Sequence, residues 1–217
     1  MDYWIEPLRY IAFGTGMTVM LTFGAAIIGI VLAVPLLLMA RSRFTALRGL
    51  YHAFVHIVRG VPTLVWLFIA FFGVTQIGIV LDPITSAMLT LGMIATANMA
   101  EIYRGGMQAI PAGQWEAAHA LSLDRSATAR DIIAPQLFRA VSPSVATQVI
   151  GLLKDSALVS TIGVADLVFR AGLMTQNYGN GLVMFAFAGL IYLALSLPVG
   201  ALSRYVHARI TRRYAVV

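Results

Sequence analysis

Charges are rare in this chain, and the stretches they leave open are long and apolar. No charge stands between Arg9 and Arg41, which predicts a first helical span over about 12–39. Arg59 and Asp82 bracket a second over about 61–80, and Asp82 and Glu101 a third over about 84–100. Ser142 to Val164 predicts a fourth over 142–163, interrupted by Lys154 and Asp155 near its middle. The gap between Arg170 and Arg204 predicts a fifth over 181–203. Each run approaches the roughly 20 apolar residues a helix needs to cross about 30 Å of hydrocarbon. Pro35 and Pro198 fall inside the first and fifth runs and are expected to kink them, because neighbouring helices can re-satisfy the freed carbonyls. Gly14, Gly16, Gly24 and Gly29 are expected to let helices approach closely.

Five spans put the termini on opposite sides, and basic residues decide which side is cytoplasmic. Arg41, Arg43, Arg48 and Arg59 fall in one gap, Arg104, Arg125, Arg130 and Arg139 in the 101–141 loop, and Arg204, Arg209, Arg212 and Arg213 in the tail. All three lie on one side, against Arg9 and Arg170 on the other. The predicted orientation is N-terminus out, C-terminus in. Met1 to Tyr10 lacks the basic start and small-residue cleavage site of a removable signal peptide, so the first run is expected to remain as a span.

Composition agrees. Of 217 residues 59% are hydrophobic and only 11% charged, well below the quarter of a soluble domain. The formal charge of +6 sits between apolar runs, where it argues for topology and against nucleic acid. There is no cysteine, which removes disulfides, thiol nucleophiles and cysteine metal sites. His52 and His56 are spaced i, i+4 without a third ligand nearby, and His119 and His207 stand alone, so no metal is expected.

The polar loop between the third and fourth runs holds the densest local signals. Gly113 is predicted to cap a short helix and place Glu116 near its third position, where a carboxylate faces free N–H groups and the positive end of the helix dipole. Ala117, Ala118, Ala120 and Leu121 favour that helix and give it a thin face. Ser122 and Leu123 end it, and Asp124 is placed to cap a second helix running into Ile132 and Ile133. Such a hairpin is either an ordinary solvated connection or a surface that seats in another protein.

Two charges within an apolar run call for their own account. A charged residue at mid-membrane costs roughly 2.5–3.5 kcal/mol and normally faces protein or a water-filled cavity. Ser144, Gln148, Gly151 and Asp155 fall on one helical stripe, with Lys154 beside it. The pair has two readings: contact with the carboxylate and amino groups of a zwitterionic substrate, or structural pairing with partner helices. Asn98, Thr96 and Gln76 are lesser candidates for a path and equally good interhelical hydrogen-bonding residues.

The run Ala100-Glu101-Ile102-Tyr103-Arg104-Gly105-Gly106, then Ala109-Ile110-Pro111 and Gly113-Gln114-Trp115-Glu116-Ala117-Ala118, resembles the polar amino-acid permeases of ATP-binding-cassette importers (the histidine/glutamine type). Val58-Arg59-Gly60-Val61-Pro62, Leu153-Lys154-Asp155-Ser156-Ala157-Leu158 and Ile162-Gly163-Val164 fit the same pattern, so the similarity spans roughly residues 8–210. The resemblance implies an all-α integral membrane fold with five transmembrane helices, of the methionine-permease-like type I importer. It implies a multi-pass protein of the inner (cytoplasmic) membrane. It makes the loop a coupling helix for a cytoplasmic ATPase, with Gly113, Glu116, Ala117, Ala118, Leu121 and Ser122 as the coupling residues. Gln148, Lys154, Asp155, Ser156, Asn98 and Trp66 become candidates for the substrate path. The implied partners are an ATPase dimer, a second permease subunit (identical or related), an extracytoplasmic substrate-binding protein, an amino acid and membrane lipid.

No phosphate-binding G-x-x-x-x-G-K-[ST] loop occurs, so no cofactor is expected on this chain and ATP with Mg belongs to the partner ATPase. No enzymatic activity of its own is expected. Four positions depart from the family pattern: Ser122 replaces a glycine, Ala134 a leucine, Val61 a threonine and Trp66 a frequent glutamine. A left-handed backbone at Ser122 would cost about 1–2 kcal/mol relative to glycine. The rival readings are a secondary transporter driven by an ion gradient, which the intramembrane pair would suit, and a non-transporting membrane scaffold.

Overall fold

The computed structural model describes residues 2–214, and it is helical without a strand among them. Helix α1 (Asp2–Ala12) breaks at Phe13-Gly14 into α2 (Thr15–Ala40), which Pro35 does not interrupt. Next come α3 (Thr45–Gly60), α4 (Thr63–Phe68) and α5 (Pro83–Gln108). The hairpin holds α6 (Ala112–Ala120) and α7 (Arg125–Ala127), and α8 (Ala134–Asp155) follows. The chain closes with α9 (Leu167–Tyr178) and α10 (Gly181–Tyr214), which contains Pro198. The side chains of His207, Arg212 and Arg213 lie outside the described residues.

Three helical stretches are long and apolar enough to cross a membrane: Trp4–Ala40, Arg125–Ile162 and Gly181–Tyr205. A fourth arises if the bent pair Thr45–Gly60 and Thr63–Ile77 counts as one span. Helix α5, which carries the expected 84–100 run, is the most enclosed element, burying Ser86, Thr90, Thr96 and Gly92 among its apolar residues. An interior helix has little lipid to satisfy, so small and polar residues replace the bulky apolar ones a lipid-facing span needs.

The centre of the bundle is the α2–α5 pair. A Cβ added at Gly29 would stand 2.6 Å from the Ala95 Cβ, and one at Gly24 would stand 2.7 Å from the Met88 Cε. At Gly24 the end of the Met88 side chain could move aside for a larger residue, whereas at Gly29 one would also meet the Ala95 backbone at 2.8 Å and push the helices apart, which is why small residues mark such seams. Gly14 serves the same end elsewhere, since a Cβ on it would meet the Asp166 carbonyl at 2.7 Å. Gly16 does not do so within this chain, where nothing lies within 4 Å of its would-be Cβ. The opposite face of α2 carries exposed Ile27, Val31 and Leu38, as a lipid-facing stripe would.

The second expected run proves to be a broken element. Residues 41–59, expected as a polar gap, are largely the amphipathic helix α3, burying Tyr51, Val55 and Val58 at i, i+4 and i+7. Pro62 then forces Val61 into extended backbone (φ −106°, ψ 134°), and the chain turns by 100°. Helix α4 relaxes into a π segment (Ile69–Gly73) and a 3-10 turn (Val74–Ile77), and Gly78 ends it at φ 84°. The expected 61–80 span is thus shorter at its far end than a straight helix would be.

Candidate functional site

The hairpin is built on α6. It begins at Ala112 after Pro111, whose fixed φ (−59°) suits a helix start and which offers no side-chain cap. Gly113 is therefore the second helical residue rather than the cap, and Glu116 the fifth rather than the third, about half a turn further from the dipole's positive end. The C-terminal end behaves as the glycine-to-serine departure demanded. Ser122 sits at φ 54°, the single non-glycine residue with positive φ among those described. The Leu123 amide donates to the Ala118 carbonyl (3.0 Å) and the Ser122 amide to the His119 carbonyl (2.9 Å), closing a Schellman motif that glycine would occupy without strain. Asp124 then caps the next helix, its Oδ1 accepting from the Ala127 amide at 2.6 Å. From Arg125 the helix runs on through a π segment (Thr128–Ile133) into α8, so the expected end of the loop at 141 lies deep within one continuous element.

Two polar contacts join the packing of buried Ala118 in holding α6 to the body. The Arg41 guanidinium lies 5.2 Å from the Trp115 ring, and Gln136 donates from Nε2 to the Gln114 Oε1 at 2.9 Å. Ala118 is only 1% exposed and faces inward. Gly113, Glu116, Ala117, Leu121 and Ser122 face outward. Leu121 is 72% exposed, and with Leu123 it puts large apolar side chains on the tip of the hairpin.

The fourth-span charges sit where helix type changes. Helix α8 ends at Asp155 and continues as a 3-10 turn, Ser156–Ile162. Asp155 is half-buried and meets the Thr63 hydroxyl in the first turn of α4, with Trp66 one turn further along. Lys154 is exposed, and no carboxylate among the described residues lies within ion-pair distance. Gln148 and Gly151 are partly exposed and Ser144 is exposed, which leaves the stripe open on one side. The remaining path candidates are placed differently. Ser156 is fully buried with its hydroxyl donating to the Leu153 carbonyl at 2.7 Å. Trp66 donates from Nε1 to the Val58 carbonyl at 3.1 Å, a strut across the α3–α4 bend. Asn98 is partly exposed on α5, where Thr96 turns its hydroxyl to the Gly92 carbonyl at 2.7 Å. Gln76 lies on the exposed 3-10 turn.

One cluster carried no assigned role in the sequence. The Glu101 carboxylate accepts from Arg104 Nε and Nη2, both at 2.8 Å, and from the hydroxyl of fully buried Tyr51; Arg59 stands 3.7 Å away. The Arg104 bonds, with the Tyr51 bond and the Arg59 charge, hold the Glu101 carboxyl down at about 2 despite partial burial. The cluster clamps α3 to α5 beside the bend. The i, i+3 spacing of Glu101 and Arg104 hinted at a pair; Tyr51, fifty residues away, gave no signal. On the other end of the bundle, Asp166 is fully enclosed at the start of α9. It accepts from the Phe169 amide (2.8 Å) and the Tyr192 hydroxyl (3.3 Å), and burial raises its carboxyl to about 6. No group of three His, Asp or Glu able to hold a metal occurs among the described residues, and His52 and His56 merely stack at 6.0 Å.

The described residues thus form a close-packed helical bundle with a capped helical hairpin beyond one end. The fold is shared with a chain of the MetNI methionine ABC transporter in an inward-facing form (TM-score 0.76, 20% identity, covering 93% of this chain and 96% of that one). The model of the binding-protein-dependent transport system inner membrane component matches residues 25–212, and the chain belongs to that family. It is 32% identical to the arginine transport system permease protein ArtQ of Bacillus subtilis (strain 168), over 95% of this chain and 94% of that protein. It is also 32% identical to the glutamate/aspartate import permease protein GltK of Escherichia coli O157:H7, over 94% and 95%. A crystal structure of an amino acid ABC transporter with histidines superposes with a TM-score of 0.87 at 30% identity, covering 93% of this chain and 94% of that one. As a permease component the chain is not itself an enzyme.

Proposed function

We propose that this chain is the transmembrane permease subunit of an ATP-driven importer of polar amino acids in the inner membrane. It crosses the membrane five times with the N-terminus out and the C-terminus in, and works beside a second permease subunit. The observation that carries the reading is α6: a short helix tied by one cation–π contact and one side-chain hydrogen bond, presenting Glu116, Ala117 and Leu121 outward. That is the form a helix needs to seat in a cleft of a cytoplasmic ATPase. The ATPase dimer supplies ATP and Mg. Its closure moves α6 as a rigid body, and the spans pass from inward- to outward-facing. A loaded binding protein delivers the amino acid at the outer mouth near 165–180. Lys154 and Asp155 lie on the path, Lys154 toward the substrate carboxylate and Asp155 toward its amino group. The names of the relatives, arginine and glutamate/aspartate permeases, support a charged or polar amino acid.

The test is uptake of a labelled amino-acid panel in cells lacking this chain and in cells restored with it. Uptake that falls for one charge class and returns on restoration is the expected result. An unchanged panel, with the protein present in the membrane, would remove the amino-acid assignment. Uptake that survives ATP depletion and collapses with an uncoupler would replace the ATPase with an ion gradient.

A further inference from the structure

Two cavities lie end to end along the α2–α5 pair. The first, about 510 Å³, is apolar and bounded by α2, α5, α8 and α10; Ile30, Val34, Leu37, Phe138, Val141 and Val199 are among its walls. The second, about 410 Å³, continues past the end of α2 and is lined by Arg41, His52, Arg104 and Gln108 with Leu37. Leu37 borders both. Ile30, Val34, Leu37 and Arg41 fall at i, i+4, i+7 and i+11, so one face of α2 leads from the apolar groove to the cationic mouth.

The mouth carries net positive charge. No acidic residue lines it, and among the described residues no carboxylate lies within ion-pair distance of Arg41. Arg104 shares Glu101 with Arg59, two cations to one carboxylate. An apolar groove on the scale of a single acyl chain, ending in guanidinium groups at the basic end of the bundle, has the chemistry of an anionic lipid. A soluble anion would use the mouth and leave the groove idle. A zwitterionic lipid would leave the charge uncompensated.

We infer that this α2–α5 groove and its Arg41 mouth bind an anionic phospholipid, acyl chain in the groove and headgroup phosphate on Arg41. The placement in the cytoplasmic leaflet rests on the orientation proposed above; the binding itself does not. Arg41 also faces the Trp115 ring of α6, so the headgroup would sit one side chain away from the coupling helix.

The experiment is native mass spectrometry of the purified importer complex, exchanged into detergent with equimolar phosphatidylglycerol and phosphatidylcholine. Retention of phosphatidylglycerol at least fivefold over phosphatidylcholine is expected, reduced about fivefold or more by Arg41→Gln. A second variant, Val34→Phe, narrows the groove from an exposed position and is expected to lower retention while leaving the mouth intact. Equal retention of both lipids, or retention indifferent to both variants, would overturn the proposal. So would displacement of the lipid by millimolar inorganic phosphate with no dependence on acyl length, which would make the mouth a soluble-anion site. Efficient cross-linking between cysteines placed at Val34 and Phe138 of two copies would assign the groove to a subunit interface instead. Because binding is counted directly, a lipid result stands whether or not amino-acid uptake is found.

Discussion

Replacing Glu101 with Gln keeps the size of the side chain and removes the charge that three donors share. The carboxyl lies at about 2 against an ordinary 4.5, and that difference is worth about 3 kcal/mol, of which solvent screening at a group about a fifth exposed leaves roughly 2–3. The sign follows from proton binding. Between pH 4.5 and 2 the unfolded chain takes up a proton and the folded one does not, so wild-type stability is present above 4.5 and is lost as pH falls through that window. At neutral pH the variant should unfold roughly 5–10 °C lower, for a chain of this size. The gap should narrow as pH approaches 3, because the wild type is losing the same interaction. The assay is the apparent unfolding midpoint of the detergent-solubilised protein at fixed scan rate, from pH 3 to 7.5. Tyr51→Phe is the control: it removes one of the bonds to the carboxylate and leaves the Arg104 pair, costs about 1.5–3 kcal/mol, and should keep part of the pH slope where E101Q keeps none. A drop in E101Q that is the same at pH 3 as at pH 7 would refute the reasoning, since the lost interaction would then not be the carboxylate's charge.

Three further outcomes can be checked. Ser122→Gly should relieve about 1–2 kcal/mol of left-handed backbone, offset by about 0.4–1 kcal/mol of added freedom in the unfolded chain; amide exchange at 121–124 should slow by about 2–5-fold, whereas Ser122→Val should quicken it. Asp166→Asn retains the acceptor for the Phe169 amide but cannot ionise. Because the buried carboxyl titrates at about 6, Asp166's own contribution to stability is greatest below its ordinary 3.8 and falls as pH rises to about 6, and the variant should lack that fall. Lys154→Met should raise the uptake KM about tenfold or more at unchanged protein level, as for the loss of an ion pair to a substrate carboxylate; an unchanged KM with less protein would return Lys154 to a structural role.

What the sequence made legible depended on how local the cause was. The Ser122 turn was readable because a serine in a glycine position points to one backbone conformation, and the chain adopts it. Asp124 was readable as a cap because capping is settled within three residues. Helix α3 was missed because its arginines and histidines outweighed three buried residues, although Tyr51, Val55 and Val58 keep helical spacing. Gly113 was misplaced because Pro111 can open a helix without a side-chain cap, which moves the start by two residues. The Glu101 clamp was out of reach: Tyr51 meets it only once the bend at Val61-Pro62 has folded α3 back along α5.

The same contrast between near and distant causes bears on how motion would pass through this molecule. The α2–α5 seam is packed so closely that a methyl group at Gly29 would collide with Ala95, and interiors packed to that density shift as bodies rather than bend. The hairpin is held much more lightly, by Arg41 against Trp115 and Gln136 against Gln114. Yet it feeds into one helical run, Arg125–Ile162, which is 38 residues long and so reaches roughly 55 Å. That run begins one short turn from α6 and passes through Lys154 and Asp155, where its geometry changes from α to 3-10. Under the proposed mechanism, a displacement of α6 would therefore travel along a single stiff element to the charged pair, pivoting against the α2–α5 seam. The loosely held tip, the stiff lever and the rigid seam are each dictated by different residues, and the coupling depends on all three differing in stiffness.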